Sequence, residues 1–271
     1  MNEPEEFPPL ESYVGIKGWL DDAEEAALQT IAPHIRGKRI LDLGVGTGRT
    51  VPLMALLTDA YVAVDNSTEM VAACRRNYPG KDIRHGDARD LSDFPDRSFD
   101  FVLFSYNGID NIRDDDERKR VLREVHRVLQ DGGLFLFSSL NKDGSIYAES
   151  PLQTHRPGQP TDRSLKATLR LVMRNGRDPR RLPRRYRNWR RTRPQTLAHD
   201  EWGTSAISSS DFTLIVHFTT LSRLREEVAG EGFEILQTLG GDNGRPIPME
   251  TPTTADPYLY ILAKKPAAAG G

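Results

Sequence analysis

Short apolar runs alternate with amphipathic stretches along the first half of the chain. Runs at 39–43, 61–64, 82–86, 100–105 and 133–139 read as strands, and the stretches at 48–57, 68–77 and 114–129 as helices. In the last helix Val121, Leu122, Val125, Val128 and Leu129 recur at helical spacing, and Gly132-Gly133 ends the pattern. Upstream, residues 1–36 read as a leader and a helix, with acids in the first turn of Asp21–Ile31. From about Asn141 the pattern breaks. Residues 141–210 mix prolines and arginines around one short candidate helix, Lys166–Arg174, with no periodic strand. Sheet-forming sequence returns at Phe212–Phe218, then a helix at Thr220–Ala229, a strand at Gly232–Leu239 and a last buried strand at Tyr258–Ala263. Pro266–Gly271 reads as a disordered tail. This order predicts an α/β fold with helices on both faces of a parallel sheet.

Composition adds limits. A chain of 271 residues can bury a sizeable core, and one large domain with an insertion suits that length. The longest apolar runs, Phe101–Phe104 and Leu134–Phe137, fall far short of a membrane span. The acidic, proline-containing start lacks the features of a secretory signal, and a single cysteine, Cys74, cannot form an internal disulfide. A cytoplasmic protein is the default. The net charge of −2 hides an asymmetry. Between Arg163 and Arg193 twelve arginines and one lysine face one acid, Asp178, so this stretch carries +12 and the other 240 residues −14.

The densest chemistry lies at Arg39-Ile-Leu-Asp-Leu-Gly-Val-Gly-Thr-Gly-Arg49. Gly44, Gly46 and Gly48 let the backbone turn sharply and approach a ligand, and a helix from about Thr47 would point free N–H groups at it. Asp65 closes the next apolar run, where a carboxylate can accept from both hydroxyls of a ribose. A dinucleotide fingerprint spaces its glycines Gly-x-Gly-x-x-Gly; this loop reads Gly-x-Gly-x-Gly with Asp42 two residues ahead. That carboxylate suits a cationic ligand better than a pyrophosphate.

The loop resembles the cofactor loop of the class I S-adenosylmethionine-dependent methyltransferases. The order of later motifs is similar too: Leu122–Phe135 carries the helix and Gly-Gly turn before a fifth strand, followed by a closing helix, a "Gly-Phe" strand and a final strand. The resemblance covers 37–140 and 219–264. Val45 is a departure, standing where a smaller residue is usual. It implies a doubly wound, seven-stranded, mostly parallel sheet with its last strand antiparallel, formed by 1–140 and 211–265. Residues 141–210 would then be an inserted basic lid after the fifth strand.

By resemblance, Gly44, Gly46 and Gly48 surround the methionine part of S-adenosyl-L-methionine, Asp42 faces its cationic side and Asp65 holds the ribose. Asp87 and Ala88 meet the adenine edge, Asn66 packs beside its ring, and Ser105 offers backbone near the methionine group. Asp87 also suits a plain turn or cap. At the carboxyl edge of the fourth strand, Tyr106, Asn107 and Asp110 are candidates to line an acceptor site. The Asn/Asp-Pro-Pro-aromatic motif of enzymes acting on base or amide nitrogens is missing there. His217 is the candidate general base, with a satisfied sheet histidine as the competing reading. His199-Asp200 is another possible pair, although adjacent residues in a loop rarely face each other usefully, and His126, within a periodic helix, reads as structural or exposed. No metal site is indicated; Asp114–Glu117 reads as an acidic first helical turn.

The run Arg180–Arg193 allows three readings: a lid whose Arg184, Arg185, Arg190 and Arg191 clamp phosphate or carboxylate, an RNA surface with Tyr186 and Trp189 stacking on bases, or a solvated, oligomer or lipid-touching face. The leading expectation is methyl transfer to a hydroxyl or amine of a small anionic metabolite. RNA or nucleotide methylation and non-catalytic cofactor binding are the alternatives.

Overall fold

Strands buried on both faces need an apolar side chain at nearly every position, and the central strands here supply one. The computed structural model describes residues 20–151 and 180–267. Its main sheet contains β1 (Ile40–Leu43), β2 (Tyr61–Asp65), β3 (Asp82–His85), β4 (Phe99–Phe104), β5 (Leu129–Leu140), β9 (Glu234–Gly240) and β10 (Tyr258–Lys264). Spatial order is β3-β2-β1-β4-β5-β10-β9. Neighbours pair in parallel from β3 to β5, whereas β10 runs antiparallel to both β5 and β9. The expected doubly wound, seven-stranded sheet with an antiparallel last strand is therefore observed.

Side chains alternate across this sheet. On one face Ile40, Ala63, Phe101 and Leu103 pack with α1 (Asp22–Ile35), α2 (Val51–Leu57) and α3 (Thr68–Asn77). On the other, Leu41, Leu43, Val102, Phe135 and Phe137 pack with α4 (Asp115–Val128) and α6 (Leu221–Gly230). Caps fix several helix starts: Asp21 accepts from Glu24 N at 2.9 Å, and Asp114 from the N–H groups of Asp116 and Glu117 at 3.0 Å. The helix after the glycine loop starts at Val51, later than the spacing predicts, because Gly48 still has φ +100°.

A second sheet stands beside the first. It consists of β6 (Leu197–Ala198), β7 (Trp202–Ala206) and β8 (Ile215–Thr219), all antiparallel, with α5 (Arg181–Thr192) packed nearby. The apolar run at Phe212–Phe218 thus pairs in this small sheet and not in the large one, joined to it by a bridge between Asn141 and Thr219. Its strand begins only at Ile215. Asp211 and Phe212 take left-handed backbone at φ 51° and 62°, a strained pair held by the contacts of Asp211 with α5. The candidate helix at Lys166–Arg174, residues 1–19 of the leader and residues 268–271 of the tail lie outside the described residues. No helix among the described residues is long and apolar enough to cross a membrane.

Candidate functional site

The order of the strands reverses between β1 and β4, and at the carboxyl edge of that reversal a cleft opens in such sheets. A cavity of about 620 Å³ lies there. Its wall draws on the glycine loop (Gly44, Gly46), the end of β2 (Asp65, Asn66), the turn after β3 (Asp87, Ala88) and Asn111 beyond β4. The structure thus gathers sequence-chosen residues from three separate segments, and adds Asn111, which the sequence did not single out.

Each glycine of the loop has its own reason. Gly44, at φ +65°, lies against the Phe104 ring, which a Cβ would meet at 2.8 Å. Gly48 has the Tyr78 ring and Cys74 Sγ where a Cβ would go, at 2.3 and 2.9 Å. At Gly46, φ +58°, a Cβ would meet nothing within 4 Å, so this position borders open space. That opening is the side from which a ligand can approach the backbone.

Asp65 ties the loop to the second strand. Its Oδ2 accepts from Gly46 N at 2.8 Å and its Oδ1 from Ser67 N at 2.9 Å, leaving further lone pairs toward the cavity that it lines. Asp87 is gripped by Arg89, whose Nε and Nη2 donate to it at 3.0 and 2.5 Å, and Arg89 holds its carboxyl below the usual range. It therefore both lines the cavity and anchors its turn.

Asp42 does not lie on the cavity wall. It shares a sheet face with Ile40 and points toward α2, where Thr50 Oγ1 and, at 2.8 Å, Tyr61 Oη donate to its carboxylate. Burial raises its pKa to about 6. The side chain of Ser105 likewise points away, into a cluster in which Arg49 Nη2 donates to its hydroxyl at 2.8 Å and the hydroxyl donates to Glu24. Arg49 pairs with Glu24 at 2.5 Å and lies 5.2 Å from the Tyr106 ring centroid. Glu24 reads in sequence as an ordinary first-turn acid; only folding shows that it is fully buried against Arg49.

A second cavity, about 480 Å³, adjoins the first, and Asn111 lines both. Tyr106 and Asn107 belong to it, in left-handed backbone at φ 54° and 60° where β4 ends. Across from them stand Arg181 and Arg185 of α5. Arg185 is expected from the sequence. Arg181 is not singled out, although its spacing of four residues from Arg185 places both on one helical face. Arg184 is exposed but pairs with Asp211 at 3.1 Å, and Arg190 and Arg191 are exposed and line neither cavity.

Two expected catalytic residues lie elsewhere. Asp110 is fully buried: Arg118 Nη1 donates to it at 2.9 Å, Ser139 Oγ at 2.7 Å and Leu140 N at 2.6 Å. Burial still raises its pKa to about 6. With both oxygens engaged it fastens the segment after β4 to β5 and has no face toward either cavity. His217 is also fully buried, stacked 5.4 Å from Trp202, with Nδ1 donating to the Arg113 carbonyl at 3.4 Å. Burial, aided by Arg118, pushes its pKa down to about 3. Such an imidazole is a weak base outside the cavities, and it is a buried sheet histidine with Nδ1 bonded and Nε2 lacking a hydrogen-bond partner among the described residues.

Comparison with known proteins finds methyltransferases. Residues 41–137 match the family model described as "Methyltransferase domain". A probable S-adenosylmethionine-dependent methyltransferase of Mycolicibacterium smegmatis is 33% identical over 118 residues, covering 44% of each chain. The demethylmenaquinone methyltransferase of Clavibacter sepedonicus is 40% identical over 111 residues, 40% of this chain and 43% of that one. A fatty-acid O-methyltransferase of Mycolicibacterium smegmatis is 33% identical over 132 residues, 44% and 45% of the two chains. This chain thus spans less than half the length of these curated relatives. Among solved structures, an S-adenosylmethionine-dependent methyltransferase from Clostridium acetobutylicum aligns with a TM-score of 0.59 at 13% identity, covering 91% of this chain and 92% of that one. One from Mesorhizobium loti aligns at 0.55 and 20%, covering 89% and 97%. At such identities the likeness is one of fold.

Proposed function

We propose, from the match of residues 41–137 to the methyltransferase domain model, that this chain is a class I S-adenosylmethionine-dependent methyltransferase and transfers a methyl group to a small anionic metabolite. Its cofactor is S-adenosyl-L-methionine. The single observation that carries the reading is the pair of cavities meeting at Asn111, one built on the glycine loop and one facing arginines. Gly46 leaves the space a cofactor's methionine end needs, Asp65 offers acceptor oxygens to ribose hydroxyls, and Asp87 with Ala88 and Asn66 forms the adenine end. The residues present fit the group.

When bound, S-adenosylmethionine supplies a methyl carbon already activated by its sulfonium leaving group, open to in-line attack by an oxygen or nitrogen. The protein then has mainly to align two ligands and exclude water. Tyr106 and Asn107, held at fixed angles where the cavities meet, are the side chains placed to orient the acceptor. Asp110 and His217 face neither cavity, so neither is assigned as base. The single buried thiol of Cys74 suits a cytoplasmic setting.

Titration calorimetry tests the premise. S-adenosylmethionine should bind, NAD should bind at least about a hundredfold more weakly, and Asp65→Ala should cost roughly ten- to a hundredfold in cofactor affinity. Preference for NAD would overturn the proposal. Incubation with methyl-labelled cofactor and a fractionated cell extract then identifies the acceptor. RNA remains a second reading on one observation: Tyr186 and Trp189, with ring centroids 5.9 Å apart, stand beside exposed Arg190 and Arg191 on α5. It requires RNA retention that weakens steeply with salt and is lost when Arg190 and Arg191 are neutralised.

A further inference from the structure

The wall of the second cavity divides by chemistry. One part is apolar, formed by Leu140, Ile146, Ile207, Leu214 and Val216. The other carries Arg181 and Arg185 from α5. Arg185 is 3% exposed, a position where a cation is tolerated only when its charge and donors are satisfied. Its Nη1 donates to the Ser208 carbonyl and to Asp211 Oδ1, each at 3.1 Å. Its Nε and Nη2 are buried and find no acceptor among the described residues. Two unfilled donors on one buried guanidinium are a site in want of an acceptor.

The local charge has the matching sign. Arg181 and Arg185 line the cavity and pair behind it with Asp211, and Glu149 is the carboxylate on the cavity wall. On the wall, two cations against one anion leave a surplus of one positive charge. A polyanion would find too few cations here, and a neutral polar molecule would waste the apolar wall. We infer that this cavity takes an amphipathic anion, a molecule with an apolar body against Leu140, Ile146, Ile207, Leu214 and Val216 and one carboxylate or similar group hydrogen-bonded by Arg185. Arg181 adds the second charge. That this ligand is the methyl acceptor rests on the reading given under Proposed function; that it binds does not.

Octanoate, octan-1-ol and acetate separate the two halves of the site, titrated into the full chain with and without S-adenosylhomocysteine. Octanoate should bind about tenfold more tightly than octanol, the worth of one buried charge-assisted hydrogen bond. Acetate, without an apolar body, should bind at least about a hundredfold more weakly than octanoate. Arg185→Met should erase the preference for octanoate over octanol. Arg181→Met, at a side chain 38% exposed, should reduce it and provides the test if Arg185→Met fails to fold. In each variant S-adenosylhomocysteine binding serves as the control for an intact fold. Equal affinity for octanoate and octanol, or an octanoate affinity untouched by both arginine variants, overturns the inference. Homocysteine-cofactor binding without octanoate binding would sink the inference alone. Octanoate selectivity without cofactor binding would instead sink the methyltransferase reading and leave the anion site standing.

Discussion

The three glycines of the loop look equivalent in sequence but answer to different constraints. All have positive φ, which costs a residue with a Cβ about 1–2 kcal/mol. At Gly44 and Gly48 that strain coincides with a collision, with the Phe104 ring at the first and with the Tyr78 ring and Cys74 Sγ at the second; at Gly46 it does not. Gly48→Ala should therefore lower unfolding free energy by roughly 3 kcal/mol or more, combining backbone strain with overpacking. Gly46→Ala should cost only about 1–2 kcal/mol in stability, yet weaken cofactor binding, because its new methyl group enters the cavity. Urea denaturation of both variants checks this, and equal losses would refute the assignment of Gly46 to the ligand side. The loop itself was legible because glycine requirements are local. Asp42 was not, because its direction depends on the two-residue alternation of β1. That alternation sends it to Thr50 and Tyr61, while its neighbours Leu41 and Leu43 face the other core.

At the scale of elements, legibility followed burial. β1, β2, β4 and β5 are covered on both faces and so announce themselves as continuous apolar runs. β7 is Trp202-Gly-Thr-Ser-Ala206, mostly small and polar, and its sheet is built from a hairpin-like packing that no periodicity marks. For the same reason the role of His217 could not be read: its partners Arg113 and Trp202 lie on other elements. This burial has a measurable consequence. Unfolded, an imidazole takes its proton near pH 6.5, whereas in the fold His217 resists protonation down to about 3. Asp115 Oδ1 lies 3.9 Å from its Nε2, and Arg118 and Arg223 oppose a further positive charge. Its contribution is thus intact above pH 6.5 and is lost as pH falls below that value, by about 1.4 kcal/mol per unit down to the folded pKa. His217→Asn can keep a donor for the Arg113 carbonyl without a titrating ring. Relative to that variant, the parent should lose roughly 2–3 kcal/mol between pH 6.5 and 4.5 in urea denaturation. Parallel pH profiles would show that the ring takes up its proton as readily in the fold as in the unfolded chain.

For the molecule as a whole, what matters is how far apart in the chain the proposed cofactor cavity finds its walls. Gly46, Asp65, Asp87 and Asn111 span the sheet from β1 to the segment after β4, and Glu117 on α4 closes the far side. A ligand touching all of them bridges elements that otherwise meet only through their packing. It binds the folded chain and finds no such arrangement in the unfolded one. By mass action, cofactor at about a hundred times its Kd stabilises the fold by about 2.7 kcal/mol. For a chain of this size that corresponds to a rise in Tm of roughly 5–10 °C. The same concentration of NAD should leave Tm unchanged within about 1 °C, since weak binding contributes little at that level. Asp65→Ala, with its affinity reduced, should lose about half or more of the cofactor-induced shift at the same concentration. Calorimetric scans of the four combinations of parent, variant, S-adenosylmethionine and NAD decide the matter. A full shift in Asp65→Ala would mean that the ligand is held without the carboxylate at the end of β2, and the cavity would need a different occupant.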